Sequence, residues 1–165
     1  MKLLFYPHPI LKQKAAPIKE VTEETRRVAA AMLEIMAQNK GIGLAGNQVG
    51  YPFRIVVINL TGEKKNDLIL VNPRIISAEG EEICEEGCLS FPEITGKIAR
   101  AKKVCVQFTD LAGKQLTAEA EDLLARAVQH EVDHLDAVLF ISRLSPAEKQ
   151  AFRTKLKQLE KKYTE

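Results

Sequence analysis

Two of the chain's three histidines stand four residues apart, in Gln129-His130-Glu131-Val132-Asp133-His134-Leu135, with a glutamate directly after the first. On a helix, side chains four apart share one face, so both imidazoles can point at one ion. Glu131 projects from the neighbouring position and can reach a water held there. This is the H-E-x-x-H arrangement of two metal ligands and a general base. It requires a helix around residues 122–135, a third ligand from elsewhere, an open coordination position and a cleft for substrate. Without those, the same residues are two ordinary histidines on a helix.

The 165 residues suit a single domain, 1–165, with a core of useful size. An apolar fraction of 45% and a charged fraction of 28% are ordinary for a soluble globular chain. A net charge of +2 argues for neither nucleic acid nor a membrane surface as partner. The best apolar run, Ile55-Val56-Val57-Ile58, is far too short to span a bilayer. The opening Met1-Lys2-Leu3-Leu4-Phe5 breaks at Tyr6-Pro7-His8-Pro9, so no secretory signal is read there. Three cysteines, an odd number, do not make a disulfide framework. A reducing, cytoplasmic setting is expected, in which a cysteine is a ligand, a nucleophile or core.

Thr22 reads as a helix N-cap, with Glu23 and Glu24 in the first turn and Val28, Met32, Ile35 and Met36 as the packing stripe. That helix should stop near Gly41. Residues 41–50 hold four glycines and read as a loop that approaches something closely. Residues 53–60 form a β-branched strand buried on both faces. Residues 68–72 and 74–77 are strand broken by Pro73, which predicts an edge or a bulge. Residues 104–110 and 115–121 make a hairpin. Asp122 is the expected N-cap of the histidine helix. Ser145-Pro146-Ala147-Glu148 is a capping box that opens a final helix over 146–163, packed through Phe152, Leu156, Leu159 and Tyr163.

The third ligand is sought in Glu85-Glu86-Gly87-Cys88-Leu89-Ser90-Phe91-Pro92, read as a short irregular turn between Gly87 and Pro92. A cysteine in such a turn is reactive or metal-bound more readily than core. Cys105 lies in an apolar strand and reads as core. Cys84 is ambiguous. Cys84 and Cys88 with the two histidines formally make a closed four-ligand site. In an extended segment, however, the two sulfurs would stand roughly 13 Å apart.

Three segments together resemble the peptide deformylases: Gly41-Ile42-Gly43-Leu44-Ala45-Gly46-Asn47-Gln48, Glu86-Gly87-Cys88-Leu89-Ser90, and Gln129 to Leu135. They occur in that family's order and at similar spacing, and the likeness runs over essentially the whole chain. It implies a metal-dependent hydrolase that removes the formyl group from the formyl-methionine of newly synthesised polypeptides and releases formate. The implied metal ligands are Cys88, His130 and His134. Glu131, Gln48 and Leu89 take the catalytic roles: the base, and the two donors to the developing oxyanion. Gly43, Leu44, Gly87, Leu123, Arg126 and Ala127 would bind substrate. The implied cofactor is one divalent ion, Fe(2+) first, with Zn, Ni or Co able to replace it. A nascent formyl-methionyl polypeptide, met at the ribosome, is the implied partner. A cytoplasmic monomer of bacterial type is expected, with an organellar or viral origin left open. The expected fold is α+β: mostly antiparallel strands around a central metal-binding helix, with an N-terminal and a C-terminal helix.

The chain departs from the family's pattern at Gly46, where alanine is usual, at Ala137, where glycine is usual, and at Arg126, where an aliphatic residue generally lines the methionine pocket. The first two bear on loop flexibility and packing, the third on the pocket's selectivity. Glu86 and Arg100 are expected to pair behind the cysteine turn, and Asp133 is weighed as a carboxylate orienting a ligating imidazole. Two rivals stay open. A zincin-like endopeptidase would take its third ligand from the downstream acids Asp136, Glu148, Glu160 or Glu165. A metal-stabilised binding module would use Cys84 as the fourth ligand.

Overall fold

A computed structural model describes residues 1–164. In chain order the elements are α1 (Glu23–Gln38), β1 (Gly43–Ala45), β2 (Ile55–Ile58), β3 (Leu68–Glu79), β4 (Glu82–Cys88), β5 (Phe91–Arg100), β6 (Lys103–Thr109), β7 (Gln115–Glu121), α2 (Asp122–Leu135) and α3 (Pro146–Tyr163). Five strands form one sheet in the order β1-β2-β3-β6-β7, and β4 pairs with β5 as a separate hairpin. Every pairing between named strands is antiparallel. The fold is α+β, with α2 at its centre.

The sheet is buried on both faces where β2 runs. Val56 and Ile58 pack with Ala125, Val128, Val132 and Leu135 of α2. Ile55 and Val57 alternate to the other face and meet Val28, Ala29, Met32 and Met36 of α1. That is the physical content of a β-branched run without a polar face. A third cluster joins Phe91, Ile94 and Ile98 of β5 to Phe140, Leu144 and Leu159, and so seats α3 on the hairpin.

Several boundaries differ from the sequence reading. Residues 41–50 are not a simple loop: they hold β1 and a 3-10 turn, Gly46–Val49. Pro73 sits in the middle strand of the sheet, so of the two expected accommodations it is the bulge that occurs, as a register shift between Val71 and Arg74 with Asn72 at φ +50, and β3 runs on unbroken through it. β5 was not anticipated, because Pro92, Gly96 and three charged residues obscure the alternation of Phe91, Ile94 and Ile98. Glu121, not Asp122, caps α2, and Asp122 is its first residue at φ +52. The capping box of α3 is half made: the Ser145 hydroxyl accepts from the Glu148 N–H at 3.2 Å, but Glu148 Oε1 accepts from the Lys97 N–H instead. Cys105 is half-buried and not part of the core clusters.

The C-terminus of α2 is closed by two backbone bonds, Val138 N–H to the Asp133 carbonyl at 2.8 Å and Ala137 N–H to the His134 carbonyl at 3.1 Å. This closure puts Ala137 in the left-handed region at φ +62, where a Cβ is strained and glycine is not. Ala137→Gly is therefore expected to stabilise the protein by about 0.5–1 kcal/mol, the relief of strain exceeding the added entropy of the unfolded chain. Chemical denaturation would show it as a higher midpoint at unchanged slope.

Candidate active site

α2 carries His130, Glu131 and His134 with every one of them buried. β4 ends at Cys88 directly opposite. Cys88 therefore leaves the last residue of a strand rather than an irregular turn; only Leu89 and Ser90 separate β4 from β5. One ligand atom from each of Cys88, His130 and His134 lies within 4.8 Å of the others, the one such cluster among the described residues. Cys88 Sγ stands 3.2 Å from His134 Nε2. A tetrahedral ion with ordinary thiolate and imidazole bond lengths holds such atoms ~3.5 Å apart, so the donor set fits a metal. Burial keeps the His134 imidazole well below its usual pKa, and hence neutral as a ligand must be.

The other ring nitrogen of His130 is engaged by Glu86. His130 Nδ1 lies 2.8 Å from Glu86 Oε1, which leaves Nε2 for the metal. Glu86 in turn accepts two bonds from Arg100, from Nε and Nη2, both at 2.9 Å. Burial alone would raise the Glu86 carboxyl, but the bonds from His130 and Arg100 outweigh it and hold the group down at about 2. The expected Glu86–Arg100 pair is thus present, and Glu86, not Asp133, is the carboxylate on the imidazole. Asp133 instead joins Arg100 Nη1 at 2.6 Å to Arg143 Nε at 2.6 Å, a link between residues far apart in the chain that no local pattern marks.

Glu131 makes no ion pair among the described residues. It is 5% exposed, Oε2 makes no hydrogen bond among the described residues, and burial raises its carboxyl to about 7. A Cβ added to Gly43 would lie 2.6 Å from Glu131 Oε1, so the glycine is what lets this carboxylate lie against β1. Gly43→Ala is expected to push the carboxylate aside and to cost about 10²-fold in kcat with the fold intact; steady-state rates beside a circular-dichroism spectrum check it. Gly46 answers to packing in the same way: an added Cβ would stand 2.6 Å from the Phe53 carbonyl and 2.8 Å from that of Tyr51. The departure at Gly46 is therefore a close approach of backbone rather than added flexibility.

Gln48 is held in one orientation. Its Oε1 accepts from the Ala45 N–H at 2.8 Å, so the amide nitrogen must face Ser90 Oγ, at 3.1 Å, and Cys88 Sγ, at 3.6 Å. Ser90 was not singled out from sequence. It is fully buried, and its hydroxyl donates to the Leu4 carbonyl at 2.8 Å. Leu4 and Tyr6 donate back through their N–H groups to the carbonyls of Gln48 and Ser90, so the first residues of the chain clasp the two loops together.

These groups open onto one cavity of about 620 Å³. Gly43, Gln48, Gly87, Cys88, Leu89, Leu123, Arg126, Ala127, His130 and Glu131 all line it. Leu44 does not: its side chain is fully buried in the cluster beneath α1, and only its backbone runs beside the site. Of the acids that a zincin would need, Glu165 lies outside the described residues and the other three are engaged elsewhere. Asp136 binds Arg54, the Glu148 carboxylate accepts from the Lys97 N–H and Glu160 accepts from the Tyr6 hydroxyl. Cys84 stands against Arg126 and outside the ligand cluster, which removes the four-ligand reading as well.

Comparison with known proteins agrees with this geometry. The family model for polypeptide deformylase matches residues 1–150. The chain belongs to the polypeptide deformylase family. It is 41% identical over 162 residues to the peptide deformylase of Buchnera aphidicola, covering 98% of this chain and 94% of that one. With the peptide deformylase of Acidobacterium capsulatum it shares 43% over 158 residues, 94% and 93% of the two chains. Among solved structures, peptide deformylase from Plasmodium falciparum superposes with a TM-score of 0.96 at 34% identity, over 99% of this chain and 97% of that one. The family is metal-dependent, and the Cys88, His130 and His134 cluster is where this member has the donors for an ion. No helix among the described residues is long and apolar enough to cross a membrane.

Proposed function

We propose that this protein, acting as one catalytic domain, hydrolyses the formyl group from the N-terminal formyl-methionine of nascent polypeptides and releases formate. The observation that carries this is the convergence of one cysteine sulfur and two imidazoles beside a buried glutamate whose Oε2 has no hydrogen-bond partner among the described residues, in a cavity fit for a peptide end.

Cys88, His130 and His134 would hold one divalent ion, which supplies a polarised carbonyl and a water of lowered pKa. With three protein ligands, a fourth position stays open for water or substrate. Glu131 accepts the proton of the attacking water and later delivers it to the departing amine. Burial of this carboxyl favours its taking up the proton. The Gln48 amide and the Leu89 N–H donate to the oxygen on which charge develops, and Gln48 is already oriented to do so through Ala45. The peptide following the formyl group lies extended along β1, with Gly43 and Gly87 on either side and Leu123 and Ala127 against its first side chain.

Ferrous iron is the proposed ion, with zinc, nickel or cobalt able to occupy the same soft donors. A thiolate-held ferrous site suits a reduced cytoplasm, and a monomer acting on chains as they leave the ribosome is the proposed setting. Protein purified without oxygen and loaded with iron or nickel should release formate rapidly from formyl-Met-Ala-Ser and leave unformylated Met-Ala-Ser uncut. Absence of formate from metal-loaded protein would overturn the assignment, and cleavage of the internal peptide bonds would restore the endopeptidase reading.

A further inference from the structure

Arg126 stands one helical turn before His130, and Leu123 and Ala127 complete the same wall of the cavity. In the deformylation proposed above, the substrate's first side chain would run along that wall. A guanidinium free to turn into the cavity would meet it with a charge and several donors. It is not free. Arg126 Nη1 donates to Glu82 Oε2 at 3.0 Å and lies 2.8 Å from Cys84 Sγ, both on β4. The Arg126 side chain is 19% exposed, and Glu82 is 36% exposed. The charged end is thus drawn to β4 across from the helix, which leaves the methylenes to face the cavity.

We propose that Glu82 and Cys84 form a latch that holds the Arg126 guanidinium out of the cavity. Glu82 is then a positioning residue that sets the site's preference for an uncharged, flexible apolar first side chain. This rests on the deformylation proposed above and adds the determinant of its selectivity. The same arrangement explains how an arginine takes a place suited to an aliphatic residue: latched, it presents a hydrocarbon stem. Unlatched, it would present a cation matched to an acidic side chain.

The test compares iron- or nickel-loaded parent, Glu82→Gln, Arg126→Met and the double variant on formyl-Met-Ala-Ser and formyl-Glu-Ala-Ser. In Glu82→Gln, KM for the methionine substrate should rise by about 10-fold at near-parental kcat, and kcat/KM for the glutamate substrate should rise by about 10-fold. In the Arg126→Met background the Glu82 substitution should have no further effect, because the group it holds is gone. A Glu82→Gln protein that matches the parent on both substrates overturns the latch alone. So does one that loses kcat at unchanged KM, since the defect would then lie in the chemistry. A parent that releases no formate from the methionine substrate overturns the proposed reaction and the latch with it.

Discussion

Glu131→Gln is expected to slow formate release by about 10²–10⁴-fold while the bound metal stays in place. Glutamine keeps the shape and takes no ligand from the ion, but it can neither accept nor return the proton. Metal content measured on the same sample separates lost chemistry from a lost ion. The parent's kcat/KM should fall on the acid side as the base is protonated. Burial puts that carboxyl at about 7 in the metal-free protein, and a neighbouring cation moves the limb to lower pH.

The same substitution has a second, opposite consequence. The Glu131 carboxyl is raised from 4.5 to about 7 on folding. Its contribution to stability is fully present below about 4.5 and is lost as the pH rises through 7, up to about 3 kcal/mol in all. Glutamine carries no such penalty. Metal-free Glu131→Gln should therefore melt above metal-free parent at pH 8, and the gap should close at pH 4. A gap of equal size at both pH values would mean that burial of the charge is not its source. The residue that serves the reaction is one that the fold alone would do better without.

Cys88→Ala should lower metal affinity by about 100-fold or more, beyond what loss of a supporting hydrogen bond costs, and activity with it. Cys84→Ala should keep the full complement of metal, because its sulfur lies against Arg126 and not among the ligands. Equilibrium dialysis against a chelator, followed by metal analysis, reads both. A Cys84→Ala protein that lost its ion would reopen the closed, non-catalytic site.

The parts of the molecule legible in sequence are those fixed by local pattern. The helical spacing of Val28, Met32 and Met36, the unbroken apolar run of β2 and the four-residue spacing of His130 and His134 each say where one face must go. Cys88 was legible because it is a soft donor between Gly87 and Pro92 and outside any apolar run, although it ends a strand and is half-buried. What escaped is what depends on residues far apart. The alternation in β5 was hidden by charged residues, one of which, Arg100, is buried only because Glu86 and Asp133 meet it. Ser90 looks like any small polar residue of a turn until Leu4 and Gln48 arrive on either side of it. The Leu44 side chain turns into the core and not the cavity, because a motif says which residues gather at a site but not which way each side chain leaves a strand.

The clasp made by the first residues has a consequence for how the molecule comes to exist. Ser90 donates to a carbonyl 86 positions before it, and Asn47 donates to the His134 carbonyl 87 positions after it. No fragment of a growing chain contains both halves of this site until the second histidine has been made. Such distant closures must be reached late and together, after the local helices and hairpins are in place. The ability to hold an ion therefore requires one continuous stretch of chain that runs at least from the segment before Cys88 to His134.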